Sequence, residues 1–330
     1  MNADTIKLLN EKYKRISDHI DFMRLFDVEF IFVGVGAITP MIVSMVRMGA
    51  KKVTLIDPDV VEEKNIATQG FNRKHIGMPK VDALAEILQE VDFEHTNPAV
   101  PPLRLRTLHR DFLSLTDEEI TQGSERSKIM ITTTDYHPAQ ARANRLSLAN
   151  SIPCFWIGIY RGATAGEIIF TDPGASTELP CYWCITKSRY AFFDKNHLAD
   201  HLMGIHNGIA ASSGLPFAAS FIDSIAAHLI IGCIHKDSSA NPHGAFYRRL
   251  LEERRNFIQV QLDPNYRMKG ENIFAQLQGP DVLSFNTLFQ QDIIDDNCPD
   301  CKQKWIYSDY TQEFRMNYHP FDGGYFRNVT

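Results

Sequence analysis

Two pairs of cysteines have the spacing of metal-binding knuckles. Cys181 and Cys184 enclose Tyr-Trp, and Cys298 and Cys301 enclose Pro-Asp. Four thiolates in two C-x₂-C pairs can surround a divalent ion tetrahedrally, which is the geometry of structural Zn²⁺. The spacing therefore predicts one zinc ion that joins distant segments of the chain. The alternatives, four unrelated buried thiols or redox pairs, leave the repeated spacing unexplained.

A glycine pair, Gly34-Val35-Gly36, follows an apolar run and precedes a helical pattern. Small residues at such a turn let backbone N–H groups approach a phosphate at a helix N-terminus. Asp57 ends the next apolar run, where its carboxylate can accept ribose hydroxyls. Thr39 stands where the dinucleotide fingerprint has a third glycine. The pattern indicates a nucleotide site and fits NAD and ATP equally, with a simple tight turn as the alternative.

The residues after this second run distinguish between the two nucleotides. In order, they include Asp57-Pro58-Asp59-Val60-Val61, Asn65-Ile66-Ala67-Thr68-Gln69 and Gly77-Met78-Pro79-Lys80. This succession closely resembles the ubiquitin-activating-enzyme-like superfamily, the group of the ThiF and molybdopterin-synthase adenylyltransferases. The resemblance spans roughly residues 28–234 and extends to the second cysteine pair.

The resemblance implies roles for these residues in binding ATP. Asn65 and Lys80 would contact its phosphates, and Gln69 would shape the phosphate pocket. Asp57 would hold the ribose, with Asp59 in the same Asp-x-Asp motif. With the loop glycines named above, these residues make up the expected ATP site.

The resemblance also implies a magnesium site and a second subunit. Asp135 follows a predicted strand at the position where the superfamily holds Mg²⁺, and a helix N-cap is the alternative reading. Arg15 ends a short segment, residues 12–15, similar to one that delivers an arginine across a dimer interface; a solvated helix face is the alternative. We therefore expect a homodimer with Asp135, Lys80 and Arg15 as catalytic residues.

The chain departs from the superfamily pattern at several positions. Thr68 replaces the arginine of the Asn-Leu-x-Arg-Gln box, while Ala37 and Thr39 replace loop glycines. These changes predict a weaker or shifted grip on the nucleotide.

Relatives that form a thioester carry a cysteine in the crossover region after the first knuckle. Here that region, residues 204–214, offers only His206, Ser212 and Ser213 as nucleophiles or bases. The two remaining cysteines, Cys154 and Cys233, lie in apolar runs typical of buried structural thiols. The sequence therefore predicts adenylation without an obvious thioester cysteine.

Alternating strands and helices must position these groups. Strand patterns occur near residues 30–33, 53–56, 103–108, 128–132, 153–159, 167–170 and 257–262, and helical patterns near 41–48, 81–88, 139–149, 217–234 and 247–255. This alternation predicts a doubly wound, mainly parallel, Rossmann-like α/β sheet with a zinc-knuckled C-terminal portion. The predicted parts are a helical segment 1–27, a nucleotide-binding half 28–171, and a portion 172–330 with an insertion at 236–297 and an aromatic tail.

Composition narrows the class of protein. The 330 residues are 44% hydrophobic and 22% charged, with a formal charge of −6, which is typical of a globular chain and does not favour nucleic acid or an anionic membrane as partner. The first residues contain no apolar run like that of a secretory signal. Six cysteines without that signal favour the cytoplasm, and no membrane span is expected.

Together these features predict ATP- and Mg²⁺-dependent adenylation of a C-terminal carboxylate, on a small ubiquitin-like or sulfur-carrier-like protein. Adenylation of a short precursor peptide is a second candidate of the same class. An NAD(P)-dependent oxidoreductase would explain the glycine pair and Asp57, but not Lys80 or the knuckles. A non-catalytic scaffold with this fold is the other alternative, which Thr39 and Thr68 permit.

Overall fold

The centre of the molecule is one eight-stranded sheet in the order β3-β2-β1-β4-β5-β6-β7-β8. The computed structural model describes residues 3–92, 101–122, 127–160, 163–187, 215–262 and 286–302. The strands are β1 Val28–Val33, β2 Lys52–Ile56, β3 Arg104–Leu108, β4 Ser127–Thr132, β5 Cys154–Ile159, β6 Ala165–Thr171, β7 Phe257–Gln261 and β8 Thr287–Gln290.

Helices connect and cover these strands. They are α1 Ala3–Tyr13, α2 Phe22–Asp27, α3 Thr39–Met48, α4 Glu63–Thr68, α5 Lys80–Val91, α6 Asp117–Thr121, α7 His137–Asn150, α8 Pro216–Ile234 and α9 Pro242–Glu252. Single 3₁₀ turns occupy Arg73–His75 and Phe112–Ser114.

The predicted fold class is confirmed, with an antiparallel extension. Strands β3, β2, β1, β4 and β5 pair in parallel, and β6, β7 and β8 continue the sheet in antiparallel pairing. The segment 236–297 thus contributes two strands, β7 and β8, to the same sheet. It also contains helix α9. The three-part division of the chain remains a prediction.

Both faces of the sheet are buried, as the apolar strand patterns require. On one face Phe30 and Phe32 of β1 join the core formed with α3, α5, α8 and α9. On the other face Ile31 and Val33 join the core beneath α7. Because all of β1 is buried, its sequence is a continuous apolar run rather than an alternating one.

Helix α8 fixes the outer part of the first face. Its Ile222 side chain lies where a Cβ on Gly166 of β6 would stand, close to the Gly158 carbonyl near the end of β5. By length and composition α8 is the one helix in the described residues that could cross a membrane, but 56% of its apolar window is buried within the chain. Core packing accounts for its apolar composition.

One carboxyl oxygen in α8 is buried without a hydrogen-bond partner among the described residues. Asp223 is 6% exposed, and its Oδ2 receives no hydrogen bond from the described residues. Burial raises the pKa of this carboxyl to about 8. A buried charge without a partner is costly, so the folded chain retains this proton at neutral pH.

The folded chain therefore binds one more proton than the unfolded chain between the ordinary pKa of 3.8 and about pH 8. The free energy of unfolding should fall as pH rises through that window, and this contribution should be fully lost above it. Asp223→Asn should remove this dependence and melt at a higher temperature than the native chain at about pH 9. Thermal unfolding by circular dichroism across pH measures this, with the exposed Asp237→Asn as control. Parallel pH profiles for the native chain and Asp223→Asn would contradict it.

Candidate functional site

The glycine loop lies at the carboxyl end of β1, between the ends of β2 and β4. Gly34 has a φ of +82°, and a Cβ there would stand 3.0 Å from Thr133 Oγ1. Its N–H donates to Ile56 O at 2.8 Å, and its carbonyl accepts from Thr133 Oγ1 at 2.9 Å. Only glycine tolerates both this dihedral angle and this close approach. The loop is thereby fixed to both neighbouring strands.

Asp57, directly after β2, lies against the glycine loop and accepts a hydrogen bond from it. The Val35 N–H donates to its Oδ2 and the Asp59 N–H to its Oδ1, each at 2.9 Å. The carboxyl is 5% exposed. Burial raises its pKa, while the Lys80 ammonium and the two N–H donors oppose that rise. Asp57 is therefore held in one orientation at the strand end, as a ribose-binding carboxylate requires.

Lys80 begins α5 and reaches back toward the two aspartates. Its ammonium lies 2.8 Å from Asp59 Oδ2, and its side chain is 8% exposed, whereas that of Asp59 is 62% exposed. A second link joins the Lys80 N–H to the Asp59 carbonyl at 2.9 Å. The chain thus places one nearly buried cation beside Asp57, where an anionic phosphate would be attracted to it.

Gln69 lies against the glycine loop. A Cβ on Gly36 would stand only 2.8 Å from Gln69 Nε2, so the absence of a side chain at Gly36 lets the amide approach. Gln69 Oε1 is buried and receives no hydrogen bond from the part of the chain that the structure describes. Buried amide oxygens are normally paired, so this one is an exception within the loop.

Thr39 has a structural use in this loop. Its hydroxyl donates to Val35 O at 2.6 Å and lies 2.9 Å from Gly36 O, and the residue is 1% exposed. A Cβ on Gly70 would stand 2.6 Å from the Thr39 methyl group, so Gly70 makes room for the larger side chain. The threonine therefore stabilises the loop through its hydroxyl group. Its effect on nucleotide affinity remains a prediction.

Asn65 and Thr68 lie on α4, which connects these motifs. Asn65 is 5% exposed, and its Oδ1 accepts from the Glu62 N–H at 2.8 Å, which caps the helix. Any phosphate contact by Asn65 must therefore come from its amide nitrogen. Thr68 Oγ1 donates to Lys64 O at 3.2 Å, so this residue turns back onto its own helix. Position 68 therefore has no positively charged side chain where the superfamily pattern has an arginine.

Asp135 is exposed in the turn between β4 and α7. The turn is held by Gln140, whose Nε2 donates to Thr134 O at 2.7 Å, and by the Tyr136 N–H, which donates to Thr134 Oγ1. Since Thr133 contacts Gly34, the turn adjoins the glycine loop. An exposed carboxylate oxygen at a strand end suits Mg²⁺, which prefers oxygen ligands and retains several waters.

Arg15 is exposed and lies away from these residues within its own chain. It follows α1, whose Tyr13 stacks on Phe22 at 4.3 Å between ring centroids. The Phe22 carbonyl would stand 3.3 Å from a Cβ on Gly49, which ends α3, whereas the glycine loop begins α3. Arg15 is therefore at the opposite end of the sheet. Within its own chain Arg15 therefore does not join this site.

The two cysteine knuckles meet as the spacing predicts. The Sγ atoms of Cys181 and Cys184 are 3.9 Å apart, with 3.6 Å from Cys181 to Cys298 and 3.7 Å from Cys184 to Cys301. Four sulfurs about 2.3 Å from a tetrahedral zinc ion would be about 3.8 Å apart. This four-cysteine cluster therefore has the separations of a zinc site.

Backbone N–H groups support the same reading. The Asp295 N–H donates to Cys184 Sγ and the Cys301 N–H to Cys298 Sγ, each at 3.4 Å. Such donors stabilise thiolates, which are the form of cysteine that binds metal. The donor set and its surroundings fit a structural Zn²⁺.

A polar link between α7 and this cluster was not predicted. Asp300, inside the second knuckle, accepts from Arg145 Nε and from Asn144 Nδ2, each at 2.7 Å. Asn144 also lies 3.6 Å from Cys181 Sγ. The sequence did contain two signals for this link. One is the aspartate inside the second knuckle, and the other is the presence of polar residues on a helix that is largely buried. Helix α7 thus begins beside Asp135 and holds the four-cysteine cluster through residues near its middle.

Arg142, on the same helix, stabilises a loop rather than facing the nucleotide site. It donates to the Phe112 carbonyl, to Leu115 O at 2.8 Å and to Asp117 Oδ1 at 2.7 Å. These contacts fix the connection between β3 and α6.

The two other cysteines are buried in strand and helix. Cys154, which begins β5, is fully buried, and Cys233 in α8 is 4% exposed. Burial raises the pKa of both thiols, so both are protonated at neutral pH. The crossover region with His206, Ser212 and Ser213 lies outside the described residues, as does the aromatic tail.

Comparison with known proteins agrees with this geometry. The ThiF family model matches residues 11–259. Ubiquitin-like modifier-activating enzyme 5 of Drosophila virilis is 26% identical over 174 residues, and that of Drosophila mojavensis 28% identical over 171 residues. Each match covers 50% of this chain but 41% of the fly protein. The matched region is therefore less than half of either relative.

Solved structures share the fold. Escherichia coli MccB with ATP superposes with a TM-score of 0.58 at 15% identity, covering 85% of this chain and 68% of MccB. PaaA superposes with a TM-score of 0.54 at 16% identity, covering 81% of this chain and 82% of PaaA.

Proposed function

This chain belongs to the ThiF family, and from that membership we propose that it catalyses ATP- and Mg²⁺-dependent adenylation of a carboxylate. The proposed substrate is the C-terminal carboxylate of a small ubiquitin-like or sulfur-carrier-like protein. The relatives named as ubiquitin-like modifier-activating enzymes support this substrate class. Since the match covers under half of those relatives, the full activity and partners are part of the proposal.

The main structural support is the convergence of the phosphate-binding and ribose-binding groups. The glycine loop donates a hydrogen bond to Asp57, and the Lys80 ammonium, paired with Asp59, acts electrostatically on Asp57 at the carboxyl ends of β1 and β2. In open α/β sheets ligands bind in the crevice outside those ends. Gln69 contributes a buried oxygen that lacks a donor at the same loop. The site thus has the positive charge and the backbone N–H groups that an anionic nucleotide requires.

The residues of the site can do the electrostatic work of the reaction. A carboxylate that attacks the α-phosphate of ATP is an anion approaching an anion, so charge neutralisation matters more than acid–base catalysis. Lys80 is nearly buried and paired with Asp59, and the loop would orient phosphates through its N–H groups. Mg²⁺, when bound at Asp135, would neutralise further phosphate charge. The products would be an acyl-adenylate and pyrophosphate.

A short precursor peptide is the second candidate substrate. MccB has been solved with its peptide MccA, and most of this chain superposes on it. Because identity is 15%, this likeness supports the fold and leaves the choice of substrate to experiment. Either substrate would present a carboxylate to the same site.

We further propose a homodimer in the cytoplasm. Arg15 lies at the far end of the sheet from its own nucleotide loop, so a second subunit is needed to bring an arginine there. None of the six cysteines is joined in a disulfide, which suits a reducing compartment. Neither nucleic acid nor a membrane is a proposed partner.

Exchange of labelled pyrophosphate into ATP tests the proposed reaction. The native chain should catalyse exchange with a carrier protein ending in a free glycine carboxylate, or with a peptide that has a free C-terminus. The same substrate with a C-terminal amide is the matched control and should give none. Exchange that is indifferent to the amide would contradict the proposal. Failure to bind ATP–Mg²⁺ by calorimetry would instead favour the scaffold.

Neither spare cysteine should carry the acyl group. Cys154→Ala and Cys233→Ala should leave pyrophosphate exchange intact, because both thiols are buried and protonated. Non-reducing gels of the native chain with ATP and substrate should show no thiol-sensitive adduct. A reducible band that disappears in either variant would overturn this expectation.

A further inference from the structure

One residue of the four-cysteine cluster is accessible to solvent. Cys181, Cys184 and Cys298 are buried, with at most 6% of their surface exposed, whereas Cys301 is only partly buried. Cys301 also lines a cavity of about 430 Å³, which the last turn of α7 and the turn after β6 line as well. A small electrophile can therefore reach this residue from solvent.

The other three sulfurs of the cluster also accept hydrogen bonds from N–H groups. Backbone N–H groups donate to Cys184 Sγ and Cys298 Sγ, each at 3.4 Å. The Asn144 side chain donates to Cys181 Sγ at 3.6 Å. Among the described residues, none donates an N–H group to Cys301 Sγ, whose neighbour is another sulfur. Because such bonds stabilise a thiolate and lower its nucleophilicity, accessibility and nucleophilicity both favour Cys301.

A second thiol lies within reach of the first. Cys184 Sγ is 3.7 Å from Cys301 Sγ, so a disulfide between them requires the two sulfurs to approach to about 2.0 Å. Cysteines that bind zinc are thiolates, and the thiolate is the form that attacks a peroxide. The cluster therefore places an accessible attacking thiolate directly beside a buried one that can displace its oxidised product.

We propose that Cys301 is the site at which peroxides and other small electrophiles modify this chain, with Cys184 as the resolving thiol. The Cys301 thiolate attacks a peroxide oxygen, the O–O bond breaks, and a sulfenic acid and hydroxide form. The Cys184 thiolate then attacks the sulfenic sulfur, which gives a disulfide and a second hydroxide. Two thiolates lose two electrons, and these reduce the peroxide.

The oxidation removes two of the four thiolates, so the cluster no longer holds its zinc. The proposal rests on the predicted zinc site and is independent of the proposed adenylation.

Labelling of the freshly purified, reduced full chain locates the reactive thiol. Iodoacetamide at less than one equivalent, followed by peptide mass spectrometry, should place most of the label on Cys301. The fully buried Cys154 is the internal control and should remain unlabelled. A label spread evenly over the four-cysteine cluster, or found first on another cysteine, would overturn the proposal.

Release of zinc measures the oxidation itself. Hydrogen peroxide should release about one zinc per chain into a colorimetric chelator, and the peptide map should then contain a disulfide between Cys184 and Cys301. Cys301→His keeps a zinc ligand but has no sulfur to oxidise, so its zinc should leave at least about tenfold more slowly. Cys154→Ala is the matched control and should release zinc at the native rate.

Three results would contradict the proposal: no release of zinc from the native chain, release from Cys301→His at the native rate, or a disulfide that omits Cys184 or Cys301. If Cys301→His does not fold, the labelling and the peptide map of the native chain decide the question.

Discussion

Replacing Asp135 with alanine should reduce substrate-dependent pyrophosphate exchange by at least about 10³-fold, to background. The residue is exposed in the turn after β4, beside the glycine loop, and a carboxylate there is the proposed magnesium ligand. Lys80→Ala should lose on the order of 10²-fold, comparable to one preorganised charge contact. Asp237→Ala, which removes an exposed acid elsewhere, should exchange normally.

Dependence on magnesium concentration separates a metal ligand from a merely structural residue. Asp135→Asn keeps the size of the side chain and one carbonyl oxygen, so higher Mg²⁺ should restore part of its exchange activity. The same addition should not rescue Lys80→Ala, which lacks a cation rather than a ligand. If Asp135→Ala exchanges at the native rate, Mg²⁺ is held by other residues and the assignment is wrong.

Most of the features that could be predicted from the sequence depend on residue type and on spacing within short segments. The glycine loop and Asp57 follow consecutive strands, so their meeting at one sheet edge follows from parallel pairing. The four-cysteine cluster could also be predicted, because two identical spacings leave few alternatives for four thiols. In each case the residue types and the spacing are sufficient, whatever lies between them.

Features that depend on pairing between distant residues could not be predicted. From the sequence, Thr39 is only a departure from a glycine of the family pattern. In the structure its hydroxyl group donates a hydrogen bond to the loop, and Gly70 leaves room for its methyl group. The bonds from Asn144 and Arg145 to Asp300 join residues more than 150 positions apart. No periodicity encodes such a contact, since it depends on how α7 packs against the second knuckle.

The antiparallel extension was predicted only in part. β7 has an apolar alternation that indicates a strand, whereas β8 is the four-residue segment Thr287–Gln290 at the sheet edge. Short edge strands are stabilised by one neighbour only, so their sequences carry a weak signal.

The second large effect is expected at the four-cysteine cluster. Purified protein should contain about one zinc per chain by elemental analysis, since four thiols lie within 4.8 Å of one another. Cys181→Ser or Cys298→Ser should lower the free energy of unfolding on the order of 4 kcal/mol, because a structural zinc contributes directly to folding. Cys154→Ala is the matched control and should keep the zinc.

Loss of zinc should also lower activity at the nucleotide site, because α7 connects the two. The first part of this helix, about 12 Å long, joins the turn of Asp135 to the Asn144 and Arg145 bonds at Asp300. A chelator should therefore lower both the melting temperature and pyrophosphate exchange, and added zinc should restore both. Arg145→Lys, which keeps the charge but not the guanidinium geometry, should retain zinc and show a smaller loss of exchange. Freshly purified, reduced protein that is free of zinc and unaffected by chelator would show that the four thiols pack together without a metal.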